Sequence, residues 1–377
     1  MKIGFVAEPY EESHASGMAY SVLETLKILV SHAKFYELVV YSSSPINKKL
    51  VPGTYRNIII PKSFAGKFFF FLGAKEELDF LFFVVTLLPL WVPRRVKTVL
   101  ICKELAHHNI KPEGFAETIK VFVRDRVLMP HCARRATKVL ASSFATKLDI
   151  MRFYKIPESK IEVIFEGFQD WGKFINVAPA ITEKMRPYYL FAGKVKSRKN
   201  VHGLVVAFID FIRRTRADCN LVISGDYGGH YYKNIIKKLD ESGYTSKVFF
   251  VGYVDAPMMY SLYKNAVGFV FPSFSEGFGM PLVEAMSIGV PVITSNLSAM
   301  AEVVGGAGVL VNPRETASIS AAMEKVFYDE KLREGMTKKG LERANLFSWD
   351  KVAHKYSIVL EEFRRYTGAE SRSPAKT

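Results

Sequence analysis

Phe271-Pro272-Ser273-Phe274-Ser275-Glu276-Gly277-Phe278-Gly279-Met280-Pro281-Leu282-Val283-Glu284-Ala285-Met286 decides how this chain is read. An apolar run closing at Phe271 predicts a strand, a glycine-containing loop follows, and Pro281 suits the first turn of a helix. Gly277 and Gly279 let the backbone approach a ligand closely, and amides at a helix start point outward, a combination that holds polar or anionic groups. Glu276 lies in the loop and Glu284 eight residues later within the helix, so both carboxylates can face one ligand, one at each end. A solvated helix face would explain Glu284 equally well; it explains Glu276, wedged among aromatic residues and glycines, less well.

The same strand–loop–helix rhythm extends in both directions. After an irregular stretch at 167–187, strands are predicted at Tyr188–Ala192, Asn220–Ser224, Val248–Val251, Gly268–Phe271, Val290–Thr294 and Gly308–Val311. Helical patterns at Val201–Thr215, Tyr231–Glu241, Met258–Lys264, Pro281–Ile288 and Thr316–Tyr328 alternate with them. Ahead of the irregular stretch, Lys2–Ala7, Leu38–Tyr41, Leu78–Val85, Val96–Ile101, Lys138–Ala141 and Ile161–Phe165 read as buried strands, with helices at Met18–Ser31, Glu117–Arg135 and Phe144–Tyr154. Two alternating blocks imply two doubly wound α/β domains with parallel sheets, and ligands in such sheets bind beyond the carboxyl ends of the strands. The cleft between the blocks is the natural site.

The 377 residues carry 52 Lys+Arg against 37 Asp+Glu, a net charge of +15, which points to an anionic partner: nucleic acid, a membrane surface or a phosphorylated substrate. The excess is shared, +8 in residues 1–180 and +7 in the remainder, with a local +7 between Arg94 and Lys138. No zinc pattern, RNA-binding aromatic motif or basic region with heptads accompanies it, so nucleic acid is not expected as a partner. Cys102, Cys132 and Cys219 are too few and scattered for a disulfide framework or a four-cysteine metal site and suit a reducing cytosol. The N-terminus reads as a strand rather than a signal peptide, and the longest apolar run, Phe80–Val92, is too short to span a bilayer. Lys62-Ser63-Phe64-Ala65-Gly66-Lys67-Phe68-Phe69-Phe70-Phe71-Leu72 joins lysines to a phenylalanine cluster, and Phe68–Phe71 suits either an anionic membrane interface or a lysine-capped core helix. The expected location is cytoplasmic, with peripheral attachment to the inner face of the membrane as the second option.

The string at 271–286 resembles that of the retaining nucleotide-sugar glycosyltransferases of family 4, the glycosyl transferases group 1, which have the GT-B fold. Further segments match in the family's order. Phe191-Ala192-Gly193-Lys194-Val195-Lys196-Ser197-Arg198-Lys199-Asn200-Val201 is similar to its strand, basic turn and helix start. Val222-Ile223-Ser224-Gly225-Asp226, Val251-Gly252-Tyr253-Val254, Ala301-Glu302-Val303-Val304-Gly305 and Val311-Asn312-Pro313 follow, and Phe347-Ser348-Trp349 opens a final helix. The resemblance covers roughly Lys2 to Phe363. It implies two Rossmann-like domains facing across a cleft: an acceptor-side domain over 1–175, a donor domain over 176–350, a helix at 351–366 crossing back onto the first domain, and a disordered tail at 367–377.

The resemblance also implies transfer of a hexose-type sugar from a nucleoside diphosphate to an acceptor hydroxyl, with retention and without a metal or other cofactor. Lys199 and Lys194, with Arg198, would stabilise the departing diphosphate, helped by the helix dipole and amides. Arginine is usual at position 194, and lysine keeps the charge but loses bidentate geometry. Glu276 would hold the donor sugar, acting neither as nucleophile nor as general base, and Glu284 the ribose hydroxyls. The backbone at Phe278, Gly279 and Met280 would meet the sugar, Met280, Pro281 and Leu282 would lie near the diphosphate, and Tyr253 and Val254 would meet the base edge. In the first domain Gly17 carries over to the donor phosphate, with Ser16 beside it. Lys103 stands where many members have a histidine that reaches the donor sugar. Either Lys103 binds an anionic acceptor or phosphate, or His107 supplies the contact; His107-His108 is a poor metal pair because adjacent side chains diverge. The acceptor would be a glycan or a lipid-linked molecule in cell-surface glycan or glycolipid assembly. The alternatives are a non-catalytic sugar-nucleotide-binding protein of the same fold, which the Lys103 departure keeps open, and a sugar-nucleotide epimerase, which the Glu276–Glu284 string disfavours. No Gly-x-Gly-x-x-Gly follows Lys2–Ala7 or Tyr188–Ala192, which excludes a dinucleotide oxidoreductase reading.

Overall fold

Phe80-Leu81-Phe82-Phe83-Val84 and Tyr188-Tyr189-Leu190-Phe191-Ala192 are buried at every position. Strands apolar on both faces need cover on both faces, as in parallel sheets flanked by helices. The structure, a computed structural model, describes residues 1–10, 17–63, 66, 70, 77–84, 92–105, 119, 121–169, 171–174 and 180–366. Strands β1 (Lys2–Val6), β2 (Glu37–Ser42), β3 (Arg56–Ile59), β4 (Phe80–Val84), β5 (Lys97–Cys102), β6 (Lys138–Ala141) and β7 (Ile161–Val163) form one sheet in the order β3-β2-β1-β4-β5-β6-β7. Strands β8 (Tyr188–Ala192), β9 (Asn220–Ser224), β10 (Val248–Gly252), β11 (Gly268–Phe271), β12 (Val292–Ser295) and β13 (Val309–Val311) form the other, in the order β10-β9-β8-β11-β12-β13. Every described pairing is parallel. These are two Rossmann-like sheets, and each reverses its strand order once, between β1 and β4 and between β8 and β11.

Contacts divide the chain into two units, Met1–Gly167 with the segment from Trp349 onward, and Phe168–Ser348. The first break falls ahead of residue 175. Gly167 lies against the Trp349 indole, where an added Cβ would come within 2.4 Å of the ring, so it belongs to the first unit. Trp171 packs edge-on against Tyr263 at 5.8 Å and belongs to the second.

In the first unit Ile3, Phe5, Phe80 and Phe82 share a core with Val22, Leu26 and Leu29 of helix Gly17–Ser31. Helix Trp349–Tyr366 adds Val352, Tyr356, Val359, Leu360 and Phe363 to the same core, and Phe363 stacks on Phe80 at 4.2 Å. The opposite sheet face packs Val6, Tyr41 and Phe83 with Met129 and Ala133 of helix Met129–Arg135. In the second unit helix Val201–Thr215 buries Val201, Leu204, Val205, Phe208, Phe211 and Ile212 and packs on helix Thr316–Tyr328.

Several local elements differ from the sequence-based expectation. β3 was not expected, and only intermediate or exposed residues form it. The helix expected over 144–154 is α-helical at Phe144–Asp149 and π-helical at Ile150–Tyr154. Another π-helical stretch, Val123–Leu128, precedes Met129–Arg135, while residues 106–118 lie outside the described residues. Helices Ala299–Val304 and Glu330–Ala344 are additional. Most of the Phe68–Phe71 cluster and the tail from 367 also lie outside the described residues. No described helix is long and apolar enough to cross a membrane. The three cysteines are free and buried.

Candidate active site

The order reversal at β8/β11 puts the loops after these two strands side by side. Gly193 leaves β8 at φ +139°, and a Cβ there would meet the Lys199 side chain at 3.2 Å, so glycine makes room for that lysine. A 3-10 turn over Ser197–Lys199 follows, closed by buried Asn200 at φ 54°. Asn200 Nδ2 donates to the Pro313 carbonyl at 2.7 Å and fixes where the turn ends. From the other loop, Phe274 N donates to the Arg198 carbonyl at 2.9 Å and Arg198 Nη1 donates to the Ser275 carbonyl at 2.7 Å.

These bonds bring together three of the expected side chains. Glu276 accepts from Arg198 Nη1 on Oε2 and from Lys199 Nζ on Oε1, both at 3.0 Å. Lys199 Nζ also lies 4.6 Å from the centroid of the Phe271 ring at the end of β11. Burial alone would push the Glu276 carboxyl up, but Lys199 and Arg198 outweigh it and hold it below the ordinary carboxylate range. Ser298 Oγ donates to the Glu276 carbonyl at 2.7 Å and anchors the loop.

Gly279, at φ +95°, opens helix Met280–Ser287, with Pro281 in its first turn. The side chains of Phe278 and Leu282 are buried, Phe278 packing edge-on against Phe347 at 5.4 Å, so only their backbones can serve a ligand. Leu282 N donates to the Gly279 carbonyl at 2.9 Å and Pro281 has no N–H, so neither of these two residues offers a free amide to a ligand. Glu284, on the same helix, accepts from the hydroxyl of fully buried Tyr263 at 3.1 Å. Burial pushes its carboxyl up to about 7, and the Tyr263 bond offsets only part of this.

Lys194 is not drawn into this cluster. It is exposed and faces Asp226 at 3.6 Å. Tyr253 is exposed beside β10, where Gly252 O accepts from Gly225 N at 2.7 Å. In the first unit, Gly17 opens helix Gly17–Ser31 and is exposed, whereas Ser16 and His107 lie outside the described residues. Lys103 is buried, with Nζ 2.5 Å from Glu166 Oε1; Glu166 Oε2 accepts from Ser21 Oγ, and Ser142 Oγ donates to the Lys103 carbonyl at 2.6 Å. The sequence reading missed Glu166, Tyr263, Ser298 and Phe271 as partners. Phe271 ends a recognisable strand, but nothing local marks the other three.

Cations and carboxylates gathered at the switch point of a parallel sheet define a site for an anionic, polar ligand on a nucleotide-binding type of fold. Residues 176–343 match the family model described as Glycosyl transferases group 1. It is 39% identical over 224 residues to O-antigen chain mannosyltransferase B of Escherichia coli, covering 57% of this chain and 58% of that protein. It is 28% identical over 223 residues to O-antigen chain mannosyltransferase RfbU of Salmonella typhimurium, covering 58% and 59%. The chain thus spans about three fifths of the length of these curated relatives. Sucrose-phosphate synthase from Thermosynechococcus elongatus superposes with a TM-score of 0.76 at 18% identity, covering 97% of this chain and 99% of the other. Anabaena HepE in complex with UDP-glucose gives 0.75 at 18%, covering 96% and 100%. The fold is GT-B.

Proposed function

We infer that the protein is a retaining hexosyltransferase that moves a sugar from a nucleoside-diphosphate sugar to an acceptor hydroxyl in cell-surface glycan or glycolipid assembly. The second unit would take the donor and the first the acceptor. One observation carries the reading: Arg198, Lys199 and Glu276 meet at the carboxyl ends of β8 and β11, with Glu284 eight residues further on. The mannosyltransferase names of the relatives and the UDP-glucose complex of the fold neighbour support it.

The chemistry asked of the protein is positioning and charge stabilisation. The bond from the anomeric carbon to the diphosphate oxygen breaks as the acceptor oxygen bonds to the same face of that carbon. The acceptor proton passes to a donor phosphate oxygen. Lys199 and Arg198 stabilise the charge left on the diphosphate, and Glu284 in its carboxylate form accepts from the ribose hydroxyls. A thermal-shift screen of UDP-, GDP- and ADP-sugars, followed by an assay of nucleoside diphosphate release with glycan acceptors, tests the reading. A raised midpoint with one donor and acceptor-dependent release is expected; binding without release would favour a non-catalytic sugar-nucleotide-binding protein.

Peripheral membrane association is part of the same reading. Ile119, Phe122, Val123 and Val127 are exposed along one stretch, with exposed Arg126 among them and Arg134 beyond. Apolar side chains interleaved with arginine suit an anionic lipid interface. Sedimentation with phosphatidylglycerol vesicles at low salt is expected to carry the protein down, and a fully soluble protein would contradict it.

A further inference from the structure

We propose that Glu276 is a displaceable counter-ion for the Arg198–Lys199 anion site, which makes a nucleoside diphosphate without its sugar a poor ligand and the intact donor a good one. The proposal rests on the sugar-nucleotide reading and adds a specificity role to it.

In the structure the two cations closest to the switch point are already engaged. Both oxygens of Glu276 are used, one on each cation, at 3.0 Å. The pair is enclosed: the Lys199 and Glu276 side chains are 13% and 9% exposed, against 58% and 62% for Lys194 and Asp226. An incoming diphosphate therefore competes with a carboxylate that sits on the groups it needs. The cations hold that carboxyl below its ordinary range, so it is charged when the anion arrives.

Separating a buried carboxylate from its cations is costly unless other donors replace them. Sugar hydroxyls are such donors; the phosphates of a bare nucleoside diphosphate are acceptors and offer Glu276 nothing. Only a ligand carrying both parts occupies the cations and satisfies the displaced carboxylate. The loop is built for the exchange: Ser298 Oγ holds the Glu276 carbonyl and Arg198 Nη1 the neighbouring Ser275 carbonyl, so the side chain can turn while its backbone stays. After transfer, the returning carboxylate competes with the product diphosphate and favours its release.

Titration calorimetry on wild type, Glu276→Gln, Glu276→Ala and Asp226→Asn tests this, with melting curves confirming that each variant folds. The probes are inorganic pyrophosphate, UDP, GDP, ADP and their sugar conjugates. Removing the Glu276 carboxylate is expected to tighten pyrophosphate and nucleoside diphosphate binding about tenfold and to narrow the preference for the sugar conjugate. Removing exposed Asp226 is expected to change both by less than about twofold, because solvent screens that pair. Pyrophosphate binding that is unchanged or weaker in both Glu276 variants, that tightens equally in Asp226→Asn, or that is absent throughout would overturn the proposal. If pyrophosphate follows the expected pattern but no sugar nucleotide binds wild type, the donor reading falls, and with it the preference for intact donor, while the counter-ion role stands.

Discussion

Each unit contains a buried lysine–glutamate pair near the carboxyl ends of its parallel strands, and the two pairs differ in their surroundings. In the first unit Lys103 meets Glu166, whose second oxygen accepts from Ser21, so one cation faces one saturated carboxylate. In the second unit one carboxylate, Glu276, serves two cations, which leaves one positive charge in excess. We propose that the first pair stabilises the fold and that the second, unbalanced one takes a diphosphate. Lys103 is thus engaged inside the first unit, and we propose that it positions helix Gly17–Ser31 rather than binding an acceptor.

Three tests probe this contrast, the first with the largest expected effect. Lys103→Met leaves Glu166 buried without its cation and is expected to lower unfolding stability by about 3–5 kcal/mol, read by urea denaturation. If Lys103→Met keeps wild-type stability, the Lys103–Glu166 pair does not stabilise the first unit. Replacing both partners, Lys103→Met with Glu166→Leu, should recover most of the loss.

The second test concerns Glu284, whose carboxyl lies up to about 7. The proposed ribose contact requires its ionised form, and between pH 6 and 8 that fraction grows roughly tenfold. Donor affinity is expected to rise over the same interval in wild type and to stay flat in Glu284→Gln. Because the folded carboxyl is raised from 4.5 to about 7, ionising it opposes folding. The penalty is absent below pH 4.5 and full above 7, so Glu284→Gln is expected to gain about 3 kcal/mol of stability at pH 8 and nothing at pH 4.5. An equal gain at both pH values would contradict this.

The smallest effect is expected at Lys194, exposed and facing Asp226. Lys194→Ala should raise the donor KM by no more than about threefold, as screened surface pairs contribute little. A loss of orders of magnitude would mean that Lys194 swings into the site when donor binds and would erase its distinction from Lys199.

Much of the fold was legible because buried parallel strands are apolar throughout, as at Phe80–Val84 and Tyr188–Ala192. Less legible elements lack that signature. β3 is an edge strand of intermediate and exposed residues. Helix Glu330–Ala344 buries only Met336, Gly340 and Ala344, two of which are too small to mark an apolar stripe. At the site, the loop–helix string at 271–286 marked Glu276 and Glu284 through its glycines and proline, and the basic turn was marked by the resemblance of the segment at 191–201. Their partners were not legible. Glu166 lies 63 residues from Lys103 and Tyr263 lies 21 from Glu284, and only the folded sheets bring them together.

The central claim is that Lys199, with Arg198, stabilises the charge on a departing diphosphate. Turnover of Lys199→Ala at saturating sugar nucleotide tests it most directly. The predicted result is a fall in kcat of about 10²–10³-fold, the scale for losing one preorganised charge-stabilising group, in a variant that remains folded. An unchanged kcat would contradict it.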